Sequence, residues 1–180
     1  MSTLHICREV ARLMRKYNET DPWHLARAMG VIVAQLPMGN TAKSCKGFFL
    51  YRSRKKHITI NSELPETVQR IILAHELGHA VLHHNAARIR VFHDFALYDS
   101  SSLFEYEANL FAAEYLLNDQ VVMEMLSADT FFFAVAKELA VPPELLDFKF
   151  RILKYKGWQL ESPILANSDF LKNITARGEA

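Results

Sequence analysis

Two histidines and a glutamate stand at metal-binding spacing in the run His75-Glu76-Leu-Gly-His79. Residues four apart lie on the same face of an α-helix, one turn above each other, so both imidazoles can bind one metal ion. Glu76 lies about 100° around the helix, which places its carboxylate beside a metal-bound water rather than on the metal. The pattern is typical of zinc peptidases, in which two histidines hold Zn²⁺ and the glutamate acts as general base.

A structural role in the protein core is the alternative for these residues. The flanking runs Ile71–Ala74 and Ala80–Leu82 are apolar, which predicts a helix buried on every side. Burying two histidines and a glutamate without partners is unfavourable. A bound metal ion removes that penalty, and the sequence therefore favours a metal site over a purely structural pair of histidines.

A catalytic zinc site normally takes a third protein ligand as well as a water. The helix predicted at Leu103–Leu117 carries three acidic candidates, Glu105, Glu107 and Glu114, which helical periodicity separates. Glu105 shares a face with Asn109 and with alanines that would let this helix approach the motif helix closely. That face favours Glu105 as the ligand and Asn109 as the hydrogen-bond partner of a ligand histidine. Glu107 points about 160° away and stays the alternative ligand, or a solvent-facing or salt-bridged residue.

His83 falls one turn beyond His79 on the same helix face. It is either an additional group beside the metal or a histidine favoured by the dipole at the helix C-terminus. Because three protein ligands and a water complete a catalytic zinc site, the second interpretation is favoured. A second oxyanion donor has three candidates, His93, Tyr98 and Tyr106, between which the sequence does not choose.

Apolar periodicity predicts the elements that must position these side chains. The helices expected are Leu4–Tyr17, a short one from Pro22, the motif helix from Pro65 to His83 or His84, Leu103–Leu117, Gln120–Leu126, one ending near Leu139 and a last one from Glu144 to Tyr155; the strands are Val31–Leu36, Cys45–Arg52 and His57–Asn61. The fold class is therefore α+β, mostly helical, with a short three-stranded sheet packed on the motif helix. We expect Ile58–Asn61 to form an exposed edge that could bind an extended peptide.

Length and composition bound the class of protein. A chain of 180 residues suits one compact unit, which we divide into a core with N-terminal helices (1–125) and a C-terminal helical region with a tail (126–180). The formal charge of +1 gives no support to nucleic-acid binding. An export signal and a membrane-spanning run are not evident, and Cys7 and Cys45 are typical of reduced thiols, so the predicted location is the cytoplasm.

Two stretches of this chain resemble the ImmA/IrrE family of metallopeptidases. They are His75-Glu-Leu-Gly-His-Ala-Val-Leu-His83 and Glu105-Tyr-Glu-Ala-Asn-Leu-Phe-Ala-Ala-Glu-Tyr-Leu-Leu117. The resemblance implies a zincin-like domain in which His75, His79 and Glu105 hold Zn²⁺. Many relatives read Leu-Met-Pro where this chain has Leu116-Leu-Asn118, a departure that should alter a helix end rather than the chemistry.

The family resemblance also implies a substrate class. Such proteins are often encoded by mobile elements or prophages and cleave a helix-turn-helix repressor, so we expect a zinc endopeptidase that acts as an anti-repressor. One alternative is a non-proteolytic zinc-binding protein that regulates or binds a partner. Another is a DNA-binding module at Val135–Leu153, which is disfavoured because its second helix presents apolar and acidic residues where base edges call for polar and basic ones.

Overall fold

The α+β class predicted from the sequence is confirmed by a computed structural model that describes residues 1–41, 43–83, 101–127, 131–169 and 171. The elements within these residues are α1 (Thr3–Tyr17), α2 (Pro22–Ala28), β1 (Ile32–Leu36), β2 (Gly47–Arg52), β3 (Lys55–Asn61), α3 (Glu66–Leu82), α4 (Ser101–Leu116), α5 (Asp119–Ser127), α6 (Phe132–Glu138) and α7 (Pro143–Tyr155). Two of the oxyanion-donor candidates, His93 and Tyr98, lie outside the described residues.

Side-chain caps fix the start of the two N-terminal helices. The Ser2 hydroxyl accepts a hydrogen bond from the backbone N–H of His5 at the start of α1. At the start of α2, Asp21 accepts hydrogen bonds from the N–H groups of Trp23 and His24. Both residues satisfy N–H groups that have no partner within the helix.

Strand β3 lies in the centre of the three-stranded sheet, whose order is β1-β3-β2. β2 pairs with it antiparallel through a hairpin, and β1 pairs with its other side in parallel. The prediction that Ile58–Asn61 forms an exposed edge is therefore wrong, because both sides of this strand already carry ladder hydrogen bonds. Within the described sheet, the outer strands are β1 and β2, and an extended peptide could add as a further strand only beside one of them.

Helix α3 carries the histidine motif through the centre of the molecule. It begins directly after Pro65 and ends at His83, as predicted, and twelve of its seventeen residues are buried. β2 and β3 pack on it from one side, and α4 packs on it from another. The histidine motif therefore lies in the part of the helix that other elements cover.

Close packing of α3 on α4 depends on Gly78. A Cβ atom added there would lie 3.1 Å from both the Cα of Ala108 and the Cβ of Phe111. Those distances are tighter than ordinary carbon contacts, so a glycine is needed for this spacing. The expectation that small residues on the Glu105 face allow close approach is confirmed, since Ala108 and Ala112 are fully buried here.

Helix α7 packs against α4 and α1 and shares their hydrophobic core. Eight of its thirteen residues are buried. Two residues of α7 hold the segment that follows the helix. Arg151 donates a hydrogen bond to the carbonyl of Ala166, and Asp147 accepts one from the N–H of Ala166. The division of the chain at residue 125 stays a prediction. Among the described helices, none has the length and apolar character needed to cross a membrane.

Candidate metal centre

His75, His79 and Glu105 converge where α3 meets the first turns of α4. Nε2 of His75 lies 3.1 Å from Nε2 of His79 and 3.1 Å from Oε2 of Glu105. Nε2 of His79 lies 3.4 Å from Oε1 of the same carboxylate. Both histidines are buried, and the Glu105 side chain is 17% exposed. The three residues thus form a compact group that could hold one metal ion.

Asn109 orients the imidazole of His75. Its Oδ1 lies 2.8 Å from Nδ1 of His75, while its Nδ2 donates to the backbone carbonyl of Ser168 at 2.7 Å. Because the carbonyl of Ser168 can only accept, the amide oxygen of Asn109 must face the histidine. His75 Nδ1 therefore donates, and its Nε2 is left with a lone pair directed at Glu105. The hydrogen bond between Asn109 and a ligand histidine is as the spacing predicted.

His83 lies closer to the site than its position at the helix end suggested. Its backbone N–H caps α3 by donating to the carbonyl of His79, as expected for a terminal residue. Its imidazole, however, is buried, with Nδ1 at 3.1 Å from Nδ1 of His79. His83 therefore ends the helix, as the favoured interpretation expects, but its side chain lies beside a candidate metal ligand, as the alternative expects.

Glu107 is buried rather than solvent-facing. Only 2% of it is exposed, and its Oε2 lies 2.8 Å from Nε2 of His83. It contacts the neighbour of a candidate ligand, whereas Glu105 contacts both candidate ligands themselves. The solvent-facing interpretation of Glu107 is wrong, because the end of α3 covers the α4 face on which it lies. Its contact with His83 agrees instead with the alternative of a paired residue. The one sequence signal for this contact was the four-residue spacing of His79 and His83.

Protonation states at the site suit metal binding. Burial lowers the pKa of His79, and burial together with the proximity of His79 lowers the pKa of His83 to about 3. Burial opposes ionisation of Glu105, but the two adjacent imidazoles outweigh it and hold the pKa of this carboxyl well below its usual range. These shifts leave Glu105 ionised and His79 neutral at neutral pH, and a carboxylate and a neutral imidazole are the forms that bind metals.

The donor atoms fit a small tetrahedral cation. A ligand shell with bonds of about 2.0–2.1 Å has edges of about 3.3–3.4 Å between its donor atoms, close to the 3.1–3.4 Å that separate these atoms. With His75 Nδ1 donating to Asn109, the Nε2 atom faces a carboxylate with a lone pair. Acceptors that face one another at this distance repel each other unless a cation lies between them. The residues present therefore fit a metal ion.

Two other predicted residues lie on the helices that carry the cluster, Glu76 on α3 and Tyr106 on α4. Glu76 lies in α3 beside His75 and is 6% exposed. Tyr106 packs its ring against Phe148 of α7, with 5.5 Å between the ring centroids. This contact directs Tyr106 toward a different helix from the one that carries both histidines.

The α+β fold and a His/Glu cluster compatible with a metal site agree with a peptidase domain, and the chain belongs to the peptidase family M78. The family's IrrE N-terminal-like domain matches residues 26–151, which confirms the resemblance read from the two motifs. Among curated proteins, the chain is similar to the uncharacterized immunity region protein 2 of Bacillus phage phi105. The two are 36% identical over 140 residues, which cover 78% of this chain and 85% of the phage protein.

Proposed function

We propose that this chain is a zinc-dependent endopeptidase in which His75, His79 and Glu105 hold the metal and Glu76 is the general base. The observation that carries the proposal is the convergence of two imidazole nitrogens and one carboxylate within 4.8 Å of one another, on the helix that bears the His-Glu-x-x-His motif. Membership of a peptidase family supports it. Zinc is preferred because histidine nitrogen and carboxylate oxygen in a small tetrahedral cage match its usual ligands.

The chemistry follows from the positions of the side chains. When bound at such a site, zinc acts as a Lewis acid toward the peptide carbonyl and lowers the pKa of water. Glu76 follows His75 in α3, about 100° around the helix, which is the position expected of a carboxylate beside a metal-bound water rather than on the metal. It takes a proton from the attacking water and returns it to the amine that leaves. Its burial keeps bulk water from competing for that proton.

The substrate we propose is a helix-turn-helix repressor of a prophage or mobile element, with the protein acting as an anti-repressor in the cytoplasm. The support is the name of the phage phi105 relative, an immunity region protein, together with the family resemblance. Cleavage would separate the repressor's DNA-binding part from the rest of the protein and so end repression.

Co-expression with a helix-turn-helix repressor, chosen from the genes that flank this one, tests the proposal. We expect the wild-type protein to shorten the repressor and the Glu76→Gln variant to leave it intact while still binding one zinc. Cleavage by the Glu76→Gln variant would contradict the role of Glu76. Tight binding of an uncleaved repressor by zinc-loaded wild-type protein would instead support the non-proteolytic alternative.

The DNA-binding alternative gains no support from the fold. Helix α7, the second helix of the proposed module, buries most of its length against α4 and α1. A recognition helix must instead present its side chains to a groove. We therefore still predict that the protein does not bind nucleic acid directly. A salt-dependent mobility shift on duplex DNA would overturn this prediction.

A further inference from the structure

A buried chain of hydrogen bonds leads from Glu107 through His83 to His79. Oε2 of Glu107 lies 2.8 Å from Nε2 of His83, and Nδ1 of His83 lies 3.1 Å from Nδ1 of His79. None of the three residues is more than 3% exposed. At this burial the protein, rather than bulk solvent, determines which of these nitrogens carries a hydrogen.

The carboxylate sets the direction of the whole chain. An ionised carboxylate can only accept, so Nε2 of His83 must donate to Glu107. A neutral imidazole carries one hydrogen, so Nδ1 of His83 accepts and Nδ1 of His79 donates. Nε2 of His79 is then left with its lone pair, directed at Glu105.

We propose that His83 and Glu107 are positioning residues that hold His79 in the tautomer and orientation needed to bind the metal through Nε2. The inference rests on the proposed metal site and adds two residues to it, neither of which contacts the metal or the substrate. In a histidine without such a partner, the hydrogen is distributed between both ring nitrogens. When the metal binds through Nε2, the hydrogen must then move to Nδ1. Partners of this kind typically change metal affinity by about 10–100-fold.

A purely structural role explains the pair less well. Burying a carboxylate and an imidazole between two helices is unfavourable, and apolar residues of similar volume would join α3 to α4 at least as firmly. The pair lies where its only histidine neighbour among the described residues is a candidate ligand, and its polarity produces the one arrangement of hydrogens that metal binding requires.

Replacing Glu107 by methionine or glutamine tests the proposal. Methionine keeps the volume but removes the acceptor, whereas glutamine keeps an oxygen that can still accept from His83. Glu114→Met is the matched control, because Glu114 lies on the same helix and is also paired, but with lysines rather than with this site. The readout is the dissociation constant for Zn²⁺, measured by competition with a chromophoric chelator.

We expect Glu107→Met to weaken Zn²⁺ binding by about 10–100-fold, Glu107→Gln to recover part of the loss, and Glu114→Met to leave the affinity of the folded protein unchanged. Unchanged affinity in Glu107→Met would overturn the proposal. A fall in both methionine variants that parallels their loss of stability would also overturn it, since it would show a structural effect only.

A second measurement holds even if a variant fails to fold. ¹⁵N NMR of the metal-free wild-type protein reports which nitrogen of His79 carries the hydrogen. Hydrogen on Nδ1 supports the positioning role, and hydrogen on Nε2 overturns it. Because this measurement needs no metal, it separates the two claims: wild-type protein that binds no Zn²⁺ would end the proposed function, while the tautomer would still decide the role of His83 and Glu107.

Discussion

Helix α4 bears a partly buried carboxylate near each end, Glu105 and Glu114, and the two have different partners. At the C-terminal end, Glu114 binds the ammonium groups of Lys149 and Lys156 at 2.6 and 2.7 Å. Asp119 contacts the same two lysines, so two negative charges meet two positive charges. At the N-terminal end, Glu105 meets the imidazoles of His75 and His79. Among the residues that the structure describes, lysines balance the first cluster, whereas the second carries the charge of a carboxylate beside imidazoles.

The difference indicates what each cluster is for. The lysine cluster joins α4, α5 and α7 with permanent charges and needs nothing further. The imidazole cluster joins α3 and α4 with groups that all have lone pairs to offer, and within the described part of the chain a bound cation would balance its charge. Burial and hydrogen bonding are common to both, so those properties alone do not mark a functional site. Charge balance separates them.

Removing the carboxylate at either end should give opposite results for metal binding. We expect Glu105→Ala to reduce zinc from one ion per molecule to nearly none, because two histidines alone do not complete the site. Glu114→Ala should keep one zinc in the protein that remains folded. Metal analysis after gel filtration measures both. Full zinc occupancy in Glu105→Ala would mean that another residue supplies the third ligand.

Removing a lysine should affect stability alone. Lys149 is 1% exposed, and Lys149→Met leaves Glu114 and Asp119 sharing only Lys156. We expect the free energy of unfolding to fall by about 3 kcal/mol, as for other buried ion pairs that lose one partner. Urea unfolding followed by circular dichroism gives the value. A change in zinc bound per folded molecule would show that the two clusters are coupled.

Enlarging Gly78 should disturb the imidazole cluster through the backbone. In Gly78→Ala the new methyl group meets Ala108 and Phe111 at 3.1 Å, so α4 must move away from α3. Overpacking of this kind costs about 1–3 kcal/mol. The same movement withdraws Glu105 from the histidines, so weaker zinc binding should accompany the lower stability. Lower stability with unchanged zinc affinity would mean that the helix adjusts without displacing Glu105.

Acid should weaken the two clusters in separate pH ranges. Burial lowers the folded-state pKa of His79 and His83 below the ordinary value of 6.5, so the unfolded chain binds more protons as the pH falls past that value. The metal-free protein should therefore lose about 1 kcal/mol of stability between pH 7 and pH 6. Burial opposes ionisation of Asp119, but the hydrogen bonds from Lys149 and Lys156 outweigh it and lower its pKa below 3.8. Its contribution is complete above that value and is lost only at lower pH.

Urea unfolding in the presence of a chelator measures this dependence. The matched protein is His83→Phe, which lacks one of the two titrating groups and should show a shallower slope over the same range. A stability that does not change between pH 7 and pH 6 would contradict the lowered histidine pKa values.

Sequence reasoning performed best where one helix decides the answer. The bounds of α3, the face shared by Glu105 and Asn109, and the bond from Asn109 to His75 follow from helical spacing and from Pro65 at the start of the helix. Periodicity tells which residues share a face. It does not tell which other element covers that face.

The misplaced features depend on contacts between distant parts of the chain. β3 is central because β1 pairs with it in parallel, although β2 lies between β1 and β3 in the sequence. Local sequence patterns do not encode such a pairing. The position of Glu107 opposite Glu105 on α4 predicts a solvent-facing or salt-bridged side chain when that helix is considered alone. The end of α3 covers it instead, through His83.

The hydrogen bond from Asn109 to the carbonyl of Ser168 also has a consequence for biosynthesis. The two residues are 59 positions apart, and Ser168 is made long after both histidines. Because chains emerge from the ribosome N-terminus first, the nascent protein holds His75 and Asn109 before the group that fixes the amide of Asn109 exists. The orientation of His75 is therefore completed only after Ser168 has been synthesised, so the candidate site is not finished when its own residues have emerged.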